Sequence, residues 1–158
     1  MKKLLTICFL IAISFTVNAQ QKPTKEETIA FMNRTLKSTI SYMGDDGKIL
    51  ETEFNENQYY LKTYLDLGGT GYYSKYTNSQ FPWDALEADQ FKVNGNELRI
   101  SFSRNYRSKY KISDQPEKEQ FISSLDITLP SDKIESFKKA CIRLSEIAKE
   151  ENKDPFQN

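Results

Sequence analysis

Apolar side chains at Ile29, Met32, Leu36 and Ile40 recur at spacings of three and four. They mark one face of a helix over about residues 24–41. Thr24-Lys25-Glu26-Glu27 has the order of a capping box at its start: the Thr24 hydroxyl accepts from the Glu27 amide and the Glu27 carboxylate reaches back. Gly44-Asp45-Asp46-Gly47 ends the helix and turns the chain. From Lys48 to Leu129 the period changes to two. Leu50, Thr52 and Phe54 alternate with Ile49, Glu51 and Glu53, and a longer strand runs from about Gln58 to Leu67. Gly68-Gly69-Thr70-Gly71 is a turn, Tyr72–Tyr76 a third strand, and Trp83–Glu87 a short fourth after Pro82. Asn94-Gly95, between Phe91-Lys92-Val93 and Leu98–Phe102, predicts a hairpin with a type I′ turn. Lys109–Ser113 and Gln120–Leu129 read as the last strands. Beyond Pro130, Ile134, Phe137, Cys141, Leu144 and Ala148 line one face of a second helix, capped by Ser131 or Asp132 and running to about Glu150.

The predicted order is helix, six to seven antiparallel strands, helix: an α+β fold. A sheet that long curls or closes to hide its edges. From about Lys48 to Glu150 the element order resembles a pleckstrin-homology-like barrel with an extra N-terminal helix. The alternative is an open, cystatin-like sheet with both helices on one face. Barrels of the first kind often hold phosphoinositides through a basic early loop. The matching loop here is Asn55-Glu56-Asn57, which is acidic, so that activity is not carried over.

The first residues predict an address. Met1-Lys2-Lys3 is cationic, Leu4–Val17 is apolar over 14 residues, and Val17-Asn18-Ala19 offers a cleavage site. The run is shorter than the roughly 17–25 residues that cross a bilayer. The reading is a signal peptide over residues 1–19, a globular domain over 20–150 and a flexible tail over 151–158. The protein is then exported, periplasmic or secreted, with no stable membrane anchor after cleavage. The chain also resembles small exported proteins of unknown function from Gram-negative bacteria, through Asn18-Ala19-Gln20, Thr24-Lys25-Glu26-Glu27-Thr28, Leu125-Asp126-Ile127-Thr128-Leu129-Pro130 and Lys153-Asp154-Pro155-Phe156. That resemblance implies no activity.

Composition narrows the chemistry. The 158 residues hold 22 basic and 22 acidic side chains, and residues 20–158 alone have a slight acidic excess once Lys2 and Lys3 are removed. No broad attraction to nucleic acid follows. The chain has no histidine, which excludes imidazole triads and histidine-ligated zinc. Cys141 is the one cysteine outside the leader, so no internal disulfide forms after cleavage. Its place on the second helix face predicts a buried thiol.

Several motifs are weighed and set aside. Gly68-Gly69-Thr70-Gly71 lacks the Lys-Ser/Thr and following helix of a phosphate loop. Asp45, Asp46, Glu51, Glu53 and Glu56 lack calcium-loop spacing. The Asn33-Arg34-Thr35 sequon falls inside a helix. Two signals remain. Arg99, Arg104, Arg107, Lys109 and Lys111 interleave with Tyr106 and Tyr110, and Arg104–Lys111 is read as spanning a turn. Tyr59, Tyr60, Tyr64, Tyr72, Tyr73, Tyr76 and Trp83 form a ring-rich stretch, whose Tyr-Tyr pairs put one ring on each sheet face. The expectation is a non-enzymatic binding or interaction module with an aromatic and arginine surface of Tyr72, Tyr73, Tyr76, Trp83, Arg104 and Arg107. Its partner would be a glycan or an envelope protein, not nucleic acid. No catalytic residue, metal ligand or cofactor is assigned. The rivals are a hydrolase that uses carboxylates alone and an envelope assembly protein that self-associates through Cys141 or a sheet edge.

Overall fold

The computed structural model describes residues 22–153 apart from 42, 45, 46, 68, 69 and 88. The expected leader, the Asp45-Asp46 and Gly68-Gly69 positions and residues 154–158 of the expected tail lie outside the described residues.

The fold is α+β: a helix, a curled antiparallel sheet forming a half-barrel, and a C-terminal helix packed on it. Helix α1 is Lys25–Lys37. The strands are β1 (Met43–Gly44), β2 (Gly47–Asn55), β3 (Gln58–Leu67), β4 (Thr70–Ser79), β5 (Phe91–Asn94), β6 (Glu97–Ile112) and β7 (Lys118–Thr128). Helix α2 is Ile134–Glu151.

The capping box forms as expected. The Glu27 amide donates to Thr24 Oγ1 at 3.2 Å, and the Thr24 amide donates to Glu27 Oε2 at 2.9 Å. Thr24→Ala removes that acceptor and is expected to lower stability by about 1 kcal/mol in urea denaturation. Met32 and Leu36 are fully buried, and Asn33 reaches from α1 to the backbone of Phe54, which donates its amide to Asn33 Oδ1 at 2.7 Å. The contact satisfies backbone groups on the edge of β2 that β1 is too short to reach. The helix ends three residues earlier than Ile40, which stays exposed after a hydrogen-bonded turn.

Strands β1 to β4 form a meander, and β6 then serves as the spine of the half-barrel. Its first residues pair with β5 and its last with β4, while β7 runs along its other edge throughout. Between Ser101↔Ser124 and Tyr106↔Ile122 the register slips, so Phe102–Asn105 face a single β7 residue. This wide bulge bends β6 and lets one strand belong to both walls. The expected turn within Arg104–Lys111 is therefore part of a continuous strand.

Other local expectations are corrected. Gly95-Asn96, not Asn94-Gly95, form the two-residue loop, because Asn94 pairs with Glu97. Gly95 has φ +58° while Asn96 is not left-handed, the pattern of a type II′ turn with glycine first. Trp83–Ala85 is a 3₁₀ turn rather than a strand. Pro82 opens it, and the Ala85 and Leu86 amides donate back three residues to the Pro82 and Trp83 carbonyls at 2.9 and 3.1 Å, which closes the turn and leaves no ladder bonds for a strand. Ser131–Lys133 is likewise a 3₁₀ turn, and α2 begins after Lys133 without a side-chain cap. Gly47 opens β2 at φ +97°, where an added Cβ would lie 2.5 Å from the Tyr64 carbonyl oxygen.

The core is one continuous cluster. Ile134, Phe137, Cys141 and Leu144 of α2 join Met32 and Leu36, while the sheet supplies Phe54, Tyr59, Leu98, Ile100 and Leu125. Phe81 sits among rings, with centroids 4.7 Å from Tyr106, 5.6 Å from Trp83, 5.8 Å from Phe102 and 5.9 Å from Phe54. Ser145 Oγ and Lys149 Nζ both donate to the Leu86 carbonyl, tying the 3₁₀ segment to α2.

Candidate functional site

Strand register decides which side chains share the concave face. One row across β3, β4, β6 and β7 reads Tyr59, Asn78, Ser108 and Gln120. The next reads Leu61, Tyr76, Tyr110 and Lys118. Tyr59, Leu61, Tyr76, Asn78, Ser108 and Gln120 of these rows, with Tyr106 and Ile122, line a concavity of about 180 Å³, and Tyr110 lies beside it against Tyr76. The Tyr76 and Tyr110 rings stack with centroids 6.4 Å apart at 23°. Tyr59 and Tyr106 are buried at the floor. Burial pushes the Tyr59 hydroxyl up to about 12, and burial likewise raises Tyr106. Both rings are therefore neutral donors at ordinary pH. The Tyr106 hydroxyl donates to the Ser124 carbonyl at 2.5 Å.

Asn78 stands out. The residue is 5% exposed, and its Oδ1 is buried without a hydrogen-bond partner. An unpaired buried amide oxygen costs about 1–3 kcal/mol. Trp83 Nε1 and Arg107 Nε are also buried without a partner, but of the three residues only Asn78 lines this concavity.

The six residues singled out in the sequence scatter. Tyr76 and Tyr72 share the concave parity, with Tyr72 near the open end and more than a third exposed. Tyr73 lies on the convex face, 53% exposed and packed on Tyr64 at 4.9 Å. Trp83 is in the core, and its Nε1 lacks a partner. Arg104 is exposed and ion-paired with Asp84. Arg107 is on the convex face, paired with Glu119 at 2.7 Å. The sequence missed Asn78 and Tyr110 as members of one face. The available signal was Asn78, an unfavourable strand residue at the inward parity of Tyr72 and Tyr76.

The basic cluster is largely neutralised by its neighbours. Arg99 grips Asp126 with two bonds at 2.7 and 2.9 Å, and Lys109 lies 3.5 Å from Glu117. Tyr59 points in and Tyr60 out, where Lys75 sits 5.4 Å from the Tyr60 ring. The Cys141 thiol is fully buried, and burial pushes its pKa up. That closes the route to self-association through this cysteine. Hydrogen bonds from Lys62, Arg107 and Lys22 hold Glu51, Glu119 and Glu146 below the usual carboxylate range. Glu26 is lowered by backbone bonding at the start of α1. A general acid needs the opposite shift, so none of these four is poised as one. Among the described residues no cluster of acids or cysteine is placed to hold a metal ion, and no helix is long and apolar enough to cross a membrane.

Fold and site together define a helix-capped half-barrel with a ring-lined concavity. No protein-family model, curated protein or solved structure matches the chain.

Proposed function

We propose that this protein is an exported, non-enzymatic binding module whose concave sheet face receives one unit of a neutral glycan. The observation that carries the reading is the unpartnered Asn78 oxygen beside stacked Tyr76 and Tyr110. Rings present apolar faces to the C–H side of a sugar, and amides and hydroxyls meet its rim. The concavity is small beside the roughly 300–1,000 Å³ of drug-sized sites, which suits a single ring rather than a large cofactor. Export rests on the leader pattern of residues 1–19.

A glycan array probed with folded protein tests the reading. Signal on a neutral glycan is expected to fall more than about tenfold in Tyr76→Ala and Tyr110→Ala, as for buried tyrosine anchors. Asn78→Leu is expected to lose binding yet gain about 1 kcal/mol of stability, since it removes an unpaired buried oxygen. A blank array with protein of native circular dichroism overturns the proposal. So does an Asn78→Leu protein that binds normally.

A further inference from the structure

A second cavity lies elsewhere, in a groove of about 750 Å³ between α1 and α2. Its apolar floor includes Ala30, Phe31 and Ala140. Arg143 closes one end, with Nε donating to the Pro23 carbonyl at 2.8 Å and a second nitrogen held by Glu146 at 3.0 Å. Glu27, the acid in the groove, is committed to the capping box. Arg34 and Lys139 also line the groove, and neither has an ion-pair partner among the described residues. Arg34 is eleven residues from Pro23 along the chain, roughly 16 Å of helical rise from the closed end.

We infer that this groove binds a free long-chain carboxylate, with its alkyl chain over Ala30, Phe31 and Ala140 and its head on Arg34 and Lys139. The uncommitted charges are all cationic, so the head is an anion. The apolar floor selects an alkyl body. A single head group fits because Arg143 is already occupied. An acidic helix would carry carboxylates along its length and find no free cation at the closed end. This site is separate from the concave sheet face.

Isothermal titration of the protein expressed from its full-length sequence tests the inference. The probes are sodium dodecanoate below its micelle-forming concentration and the uncharged dodecanol. Dodecanoate is expected to bind one to one, and dodecanol about tenfold more weakly or less, the worth of a charge-assisted contact. The Arg34→Gln/Lys139→Gln double variant is expected to lose about tenfold in affinity for dodecanoate. Ala30→Trp fills the groove from an exposed position and is expected to abolish binding. Tyr76→Ala, which alters only the sheet face, binds dodecanoate normally. Absence of dodecanoate binding, equal affinity for dodecanol, or wild-type affinity in Ala30→Trp overturns the inference. Binding to vesicles of anionic phospholipid without binding of the monomer also overturns it, in favour of a membrane surface.

Discussion

Phe81→Ala is expected to lower stability by about 3–5 kcal/mol, against a total that for a domain of this size is about 5–15 kcal/mol. Urea denaturation followed by tryptophan fluorescence measures it, because Trp83 lies against Phe81. Phe81 is 6% exposed and touches four other rings. Those rings come from β2, the 3₁₀ turn and both sides of the β6 bulge. Truncation leaves a cavity that none of them can fill alone, because the four rings are fixed by three different elements. Phe121→Ala is the control. That ring is 63% exposed on β7, and its loss is expected to change stability by no more than about 0.5 kcal/mol. Equal effects at the two positions would mean that the ring cluster does not hold the half-barrel together.

The same cluster shows how far a sequence can be read. Alternation along β3 and the second half of β2 was legible because each strand has one wet face, so Glu51, Glu53 and Lys62 fall opposite Thr52, Phe54 and Leu61. A bulge between Ile49 and Glu51 reverses the start of β2, burying Ile49 rather than Leu50. Helix α2 was legible because its apolar stripe is continuous. The bend of β6 was not. Residues 103–105 are exposed in succession, and a run of polar residues looks like a loop until β7 is seen to pair on both sides of it. Trp83 misled for a related reason: the short segment Trp83–Glu87 after Pro82 reads as a strand, whereas it closes as a tight turn with Phe81 and Trp83 both buried.

The sites were less legible than the fold. Tyr76 could be suspected from ring density alone, but its partner Tyr110 lies 34 residues away and becomes a neighbour only through the β4–β6 register. Arginine density misled more. Arg99, Arg104 and Arg107 meet Asp126, Asp84 and Glu119, at sequence separations of 27, 20 and 12. No local window contains those pairings. The interhelical groove was invisible for the same reason. Arg34 and Lys139 belong to helices that begin and end the described fold, and each side chain alone is an ordinary exposed cation.

Alkaline pH gives the second large effect. The chain has no histidine, so no imidazole titrates around neutrality. Cys141 is fully buried, and burial raises its pKa in the folded state. A thiol in the unfolded chain titrates at about 8.5. A group whose folded pKa is raised contributes stability that is whole below the unfolded value and is lost as pH rises toward the folded one. The loss therefore starts at about pH 8.5 and proceeds at about 1.4 kcal/mol per pH unit. By pH 10 Cys141 alone is expected to remove about 2 kcal/mol. Tyr59 and Tyr106, both raised by burial, add their share only above about pH 10, where unfolded tyrosine ionises. Urea denaturation at pH 7.5, 9 and 10 on the wild type and on Cys141→Ala separates the contributions. The variant starts less stable, because it leaves a small cavity in the α2 face, but its stability should stay nearly level between about pH 8.5 and 10. If both proteins lose stability with the same slope across that interval, the thiol is not the group responsible, and Cys141 is not sealed in the core that α2 forms over the sheet.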